Sequence, residues 1–148
     1  MHKKIIPPIY LFLTILLMVM LHYLVPLARL LDPPWSYAGA LPLLTGFIIA
    51  SWSAFLFVRA GTSVKPFEQS TRLVTGGMYQ YTRNPMYLGM VFVLLGIALM
   101  LGSLSPFLPI PLFAWLIQSL FIEPEEARLE AMFGDEYRSF RDRVNRWL

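Results

Sequence analysis

From residue 84 to residue 122 the chain carries no charged side chain, and a densely charged stretch begins at Glu123. No soluble domain presents an uncharged run of that length to water. The whole chain follows suit, with 57% apolar and only 14% charged residues, against about 25% charged in soluble domains. The run is broken once, at Gly102-Ser103-Leu104-Ser105. It therefore reads as a tight hairpin of two helices, over residues 85–101 and 106–122, each roughly 25 Å long at the helical rise.

A membrane span takes about 20 apolar residues. Two more candidates precede the hairpin, near residues 5–25 and 41–58, separated by a turn at Asp32-Pro33-Pro34-Trp35. The first follows His2, Lys3 and Lys4. It is too long for the apolar part of a signal peptide, and no small-residue cleavage pattern follows, so a retained helix is expected. The chain's 12 prolines suit membrane helices, where neighbouring segments satisfy the backbone groups that proline frees.

Basic residues set the orientation. Lys3 and Lys4 precede the first span. Arg59, Lys65, Arg72 and Arg83 lie between the second and third. Arg128, Arg138, Arg141, Arg143 and Arg146 follow the fourth. The other side has Arg29 alone. The expected fold is all-α: an integral membrane bundle of about four transmembrane helices, one domain over residues 1–148, with both ends cytoplasmic. Residues 1–58 supply two spans, and residues 59–148 the core of the domain.

The tail reads as an amphipathic helix along the membrane surface or against the bundle. Pro124 fits a first helical turn. Leu129, Met132 and Phe133 share one face. Gly134-Asp135 marks a break and restart, with Asp135 as a cap. Tyr137, Phe140, Val144 and Trp147 then recur at helical steps.

Several chemistries are excluded. The chain has no cysteine, hence no disulfide, thiolate metal site or cysteine nucleophile. His2 and His22 share no metal-ligand spacing, so no metal is expected. No basic run interleaved with aromatics points to nucleic acid; the basic residues fit topology and membrane lipids.

Two polar clusters flank the uncharged hairpin, and the hairpin returns its ends to the same side. The first runs from Thr75 to Gly89; the second is Glu123-Pro124-Glu125-Glu126 with Phe133-Gly134-Asp135-Glu136-Tyr137. Pro85 suits a helix start whose free N–H groups favour an anion, and Arg83 adds a forked bond to a carboxylate. Glu125 and Glu126 are acceptors for hydroxyls or an amine. Tyr79, Tyr81, Tyr87 and Tyr137 offer ring faces to a cation. A ligand with a carboxylate, an amine, ribose hydroxyls and a sulfonium matches this set, and S-adenosylmethionine has all four. Each residue also has a plainer reading: Arg83 as a topological anchor, the glutamates as helix-dipole residues, the tyrosines as interfacial aromatics.

Taken together, Leu73-Val74-Thr75, Gly77, Tyr79, Arg83-Asn84-Pro85-Met86-Tyr87-Leu88-Gly89, Glu125-Glu126, Leu129, Phe133-Gly134, Tyr137 and Val144-x-Arg146-Trp147 resemble the isoprenylcysteine carboxyl methyltransferase and phospholipid methyltransferase superfamily. The resemblance extends from about Arg59 onward. It implies a membrane enzyme that moves a methyl group from S-adenosylmethionine to a lipid-like or prenylated acceptor. On that resemblance Arg83, Glu125 and Glu126 are the catalytic candidates. Val74, Gly77, Tyr79, Arg83, Asn84, Pro85, Tyr87, Leu88, Glu125, Glu126, Tyr137 and Arg143 are the cofactor-binding candidates. The acceptor stays open between a prenylcysteine-type carboxylate and a phospholipid amine. Asn84 stands where the carboxyl branch usually has His, and the Gly-x-Gly of some phospholipid methyltransferases is absent. Two rival functions are a membrane reductase related to sterol reductases, using NADPH, and a non-catalytic membrane protein of the same fold.

Overall fold

The computed structural model describes residues 6–64 and 68–148. His2, Lys3, Lys4, Ile5 and Lys65 lie outside them. The described residues form six α-helices and no strand. Helix α1 spans Pro7–Leu24, with proline in its first turn where a backbone donor is not needed. Helix α2 spans Ala40–Arg59, led in by a tight turn over Trp35–Gly39. Helix α3 is Pro85–Leu101 and α4 is Pro109–Ile117.

Helices α2 and α3 approach at glycines. A Cβ on Gly89 would lie 2.5 Å from the Gly46 carbonyl oxygen, and one on Gly96 would lie 2.6 Å from that of Gly39. Small residues allow such backbone approach in membranes, where packing rather than water exclusion joins helices. On the other side of α3, Met18 of α1, Leu94 and Ala98 of α3, and Ile110, Phe113 and Ile117 of α4 are buried in one cluster.

The two loops expected on one side of the bundle touch there. Leu30 and Leu31 donate their N–H groups to the Gly102 carbonyl at 2.8 and 3.1 Å, and Leu104 donates to that of Ala28 at 2.9 Å. Gly102 ends α3 with φ 75°, a left-handed conformation that costs glycine nothing. The His22 ring nitrogen Nδ1 lies 2.7 Å from the Ser103 hydroxyl, and Ser105 donates to the Leu21 carbonyl.

Lipid explains the outer surface. Leu41, Leu44, Phe47, Ile48, Trp52, Phe55 and Val58 on α2 are each more than half exposed, an apolar face too extensive for water. Three helical stretches are long and apolar enough to cross a membrane: Pro7–Leu24, Trp35–Arg59 and Ser105–Phe133. Helix α3, at 17 residues, is shorter, and its Leu88, Gly89, Leu94, Gly96 and Ala98 are buried among the others.

The fourth span differs from expectation at its far end. A boundary near residue 122 and a fresh helix starting at Pro124 are expected. Instead α4 runs through a wide turn, Gln118–Ile122, straight into α5, Glu123–Phe133. Glu123 donates its N–H to the Gln118 carbonyl, five residues back. Pro124 has no N–H and its ring crowds the preceding turn; the widened turn accommodates it without a break.

Helix α6, Asp135–Arg143, restarts after Gly134. Asp135 is not its cap: Gly134 holds that position without a side-chain bond, and Asp135 accepts from Arg138 at 2.8 Å. Tyr137, Phe140 and Val144 are buried against Leu56, Phe57, Leu73, Val74 and Tyr79, so α6 folds back onto the bundle end. Leu129 and Phe133 join this cluster, whereas Met132 is exposed because helix α5 turns it outward.

Candidate active site

The two polar clusters meet at the end of the bundle away from Gly102. Arg83 precedes α3, and Glu126 sits in the first turn of α5. The Arg83 Nη1 atom lies 3.3 Å from Glu126 Oε1, with side-chain exposures of 10% and 14%. The same Nη1 donates to the Tyr137 hydroxyl at 3.3 Å. One cavity of about 80 Å³ opens here. Its polar lining includes Tyr79, Arg83, Asn84, Tyr87, Glu125, Glu126 and Tyr137, and its apolar lining includes Phe57, Val74, Met86, Leu129 and Phe140.

What holds these groups in place is the segment after α6. Arg83 donates its N–H to the Asn145 carbonyl at 2.9 Å. The Thr82 hydroxyl and the Asn84 amide both donate to the Arg146 carbonyl at 3.1 Å. Thr82 is fully buried, and its hydroxyl also accepts the Asn84 N–H. Trp147 Nε1 donates to Gln118 in the wide turn at 3.0 Å. The loop before α3, the fourth span and the tail are thus tied together around the cavity.

The glutamates differ in their surroundings. Glu126 accepts a forked pair from Arg146, Nε to Oε1 at 3.1 Å and Nη2 to Oε2 at 2.8 Å. That bond raises the Arg146 guanidinium above its ordinary range. Glu125 lines the cavity together with Tyr87. Arg83 Nε and the Tyr79 hydroxyl are buried with no hydrogen-bond partner among the described residues. Burial, with Tyr87 adding to it, keeps the Tyr79 hydroxyl protonated far above its ordinary range. Burial and then Glu126 push Tyr137 up against the pull of Arg83. Both tyrosines are therefore neutral donors near neutrality.

Four of the residues expected at the cofactor, Gly77, Pro85, Leu88 and Arg143, do not line this cavity. Gly77 has φ 61° and any Cβ would meet Leu56 at 2.7 Å, so it shapes the loop. Pro85 and Leu88 are buried in helix packing. Arg143 is exposed and donates back to the Ser139 carbonyl. Tyr81, offered as an aromatic wall, is 69% exposed and outside the cavity. Among the described residues no cluster of metal-ligating side chains occurs.

Sequence reasoning missed Phe57, in the last turn of α2, and Ser63, Val64, Ser70 and Arg72, which also line the cavity, because the loop that holds the last four carries no periodic signal. It also missed Thr82 and Gln118. A buried hydroxyl or a lone amide in a span has no pattern beyond its cost if left unpaired.

Over 92 residues the chain is 38% identical to the protein-S-isoprenylcysteine O-methyltransferase of Schizosaccharomyces pombe, covering 59% of this chain and 39% of that protein. Over 115 residues it is 29% identical to a probable protein-S-isoprenylcysteine O-methyltransferase of Oryza sativa subsp. indica, covering 76% and 60%. An uncharacterized protein of Haemophilus influenzae is 41% identical over 63 residues, all of its length and 43% of this chain. The match thus spans less than two thirds of the two named methyltransferases. No solved structure matches. Residues 35–136 match the phospholipid methyltransferase family, a stretch that holds α2, the Arg83 loop, the uncharged hairpin and both glutamates. This chain belongs to the phospholipid methyltransferase family.

Proposed function

We propose that this membrane protein transfers a methyl group from S-adenosylmethionine to a lipid-like acceptor, with the Arg83 cavity as the donor site. One observation carries the reading. Arg83 Nε and the Tyr79 hydroxyl are buried donors without partners among the described residues, and both side chains line the cavity. Unpaired buried donors cost about 1–3 kcal/mol each, a cost that an anionic ligand removes. Glu125 supplies the opposite charge in the same cavity.

The donor set fits the proposed cofactor. Arg83 and Tyr79 would take its carboxylate, Glu125 its amine or ribose hydroxyls, and Tyr87 and Tyr137 offer ring faces to a sulfonium. At about 80 Å³ the cavity matches the charged end of such a donor, since whole-ligand pockets run to roughly 300 Å³ or more. When bound, the donor would supply an electrophilic methyl for an acceptor lone pair, its thioether leaving with the electron pair of the broken carbon–sulfur bond. The protein's part is alignment and exclusion of water, and alignment alone can supply about 7–11 kcal/mol. For an ammonium acceptor, Glu125 or Glu126, both lining the cavity, would take the proton.

The acceptor class follows from the surroundings. Phe57, Met86, Leu129 and Phe140 give the cavity an apolar wall, and the uncharged hairpin behind it faces hydrocarbon. A prenylcysteine-type carboxylate or a phospholipid amine suits it. Arg59, Arg72, Arg83 and the tail arginines lie at the cavity end, and Arg29 at the other. By the positive-inside rule the cavity faces the cytoplasm.

Detergent-purified protein titrated separately with S-adenosylmethionine and NADPH tests the reading. Binding of the first alone is expected, followed by transfer of labelled methyl into a total lipid extract or a prenylated thiol. Absence of donor binding, with no label in any lipid, would overturn it.

A further inference from the structure

Arg83 and Glu126 lie 3.3 Å apart, yet they share one contact instead of the forked pair that arginine and carboxylate favour. The reason is on the opposite side of Glu126. Arg146 takes both carboxylate oxygens, at 3.1 and 2.8 Å, and is itself held near Glu123 at 3.4 Å. Arg83 is left with a buried Nε that no described residue satisfies.

The geometry points to Arg146 as a positioning residue that limits Glu126 to a single contact with Arg83, so that the Arg83 Nε remains available to the carboxylate of the methyl donor. This rests on the cavity being the donor site. Two guanidinium groups thus share the one Glu126 carboxylate, so Arg83 is only partly engaged by it. Without the Arg146 guanidinium, Glu126 would fork onto Arg83 and compete with the ligand. The role is separable from the tail's structural one. Thr82 and Asn84 bind the Arg146 main-chain carbonyl, and Arg83 binds that of Asn145. All three bonds survive loss of the side chain.

The test is calorimetric binding of S-adenosylmethionine and of its decarboxylated analogue to purified wild type, Arg146→Ala, Glu126→Gln and the double variant. Arg146→Ala should weaken binding of the carboxylate-bearing donor about tenfold or more, as expected for a lost charge-assisted bond. The decarboxylated analogue should bind wild type and Arg146→Ala alike. Adding Glu126→Gln to Arg146→Ala should restore donor affinity to within about threefold of wild type, because the competing charge is gone. Equal donor affinity in wild type and Arg146→Ala would overturn the assignment. So would equal loss for both ligands, which marks a purely structural residue, or failure of the second substitution to rescue. If Arg146→Ala does not purify folded, Glu126→Gln alone decides: it should bind the donor at least as well as wild type, and clear weakening would refute the competition. A wild type that binds no donor would remove the donor site and this role together, an outcome distinct from those in which wild type binds.

Discussion

Replacing Gly89 with alanine tests the helix packing that carries the site. The new Cβ would stand 2.5 Å from the Gly46 carbonyl oxygen, 2.8 Å from the Ala50 nitrogen and 2.9 Å from the Ala50 Cβ. Ordinary contact begins at 3.4 Å, so the axes of α2 and α3 must part by roughly the 0.9 Å difference between 3.4 and 2.5 Å. Main-chain atoms cannot rotate aside as a flexible side chain would. Alanine gains about 0.8–1.0 kcal/mol in helix propensity over glycine, while overpacking costs about 1–3 kcal/mol. With backbone as the obstacle the cost falls in the upper half of that range, leaving a net loss of about 1–2 kcal/mol. At roughly 2–4 °C per kcal/mol for a domain of this size, Gly89→Ala should melt about 2–8 °C below wild type. The assay is intrinsic tryptophan fluorescence of detergent-purified protein during a thermal ramp. Gly76→Ala, where a Cβ meets nothing within 4 Å, is the control and should melt with wild type. A Gly89→Ala protein as stable as wild type would refute the packing argument.

Other substitutions separate stability from binding. Arg83→Ala should weaken S-adenosylmethionine binding tenfold to a hundredfold, as roughly 1.5–3 kcal/mol of charge-assisted bonding is lost; calorimetry reads it directly. His22→Ala strands the buried Ser103 hydroxyl, 2.7 Å from the ring, and should cost about 1–3 kcal/mol of stability while donor affinity, set at the far end, stays unchanged. Alkaline melts should show the Tyr79 effect. The folded state holds this proton well above the ordinary 10.0, so the unfolded chain releases it first and stability falls as pH rises past that value. Tyr79→Phe should flatten the fall, as followed by melting midpoints between pH 9 and roughly 11 around the ordinary tyrosine range. Thr82→Val removes a bond at 3.1 Å to the Arg146 carbonyl and leaves that acceptor short, so it should lower both the melting midpoint and donor affinity.

The spans were legible because lipid demands long apolar runs, and the hairpin because Gly102-Ser103 interrupts one. Bringing Arg83 next to Glu126 was legible for the same reason: a hairpin must return its ends to one side. Continuity from α4 into α5 was not, because proline signals a helix start as readily as it forces a widened turn, and only neighbours decide. Tyr79, Tyr137 and the glutamates were legible as chemistry, but their division of labour was not. Which glutamate an arginine occupies depends on the placement of Arg146, and nothing in a one-dimensional string fixes that. Arg143 was expected at the cofactor. Helix α6 ends at that residue, whose side chain points back to the Ser139 carbonyl, and Arg146, three positions on and beyond the helix, takes Glu126.

The contact between Arg83 and Glu126 joins groups 43 positions apart, the difference between 126 and 83. Holding the ends of a flexible loop of that length together costs about 3 kcal/mol of chain entropy. An ion pair this deeply buried, at 10% and 14% exposure, regains little beyond the cost of taking both charges out of water. Electrostatics therefore does not draw these groups together. The hydrocarbon slab does, by forcing the intervening segment to enter and come back, so that the bilayer acts as the mould in which the charged constellation is cast.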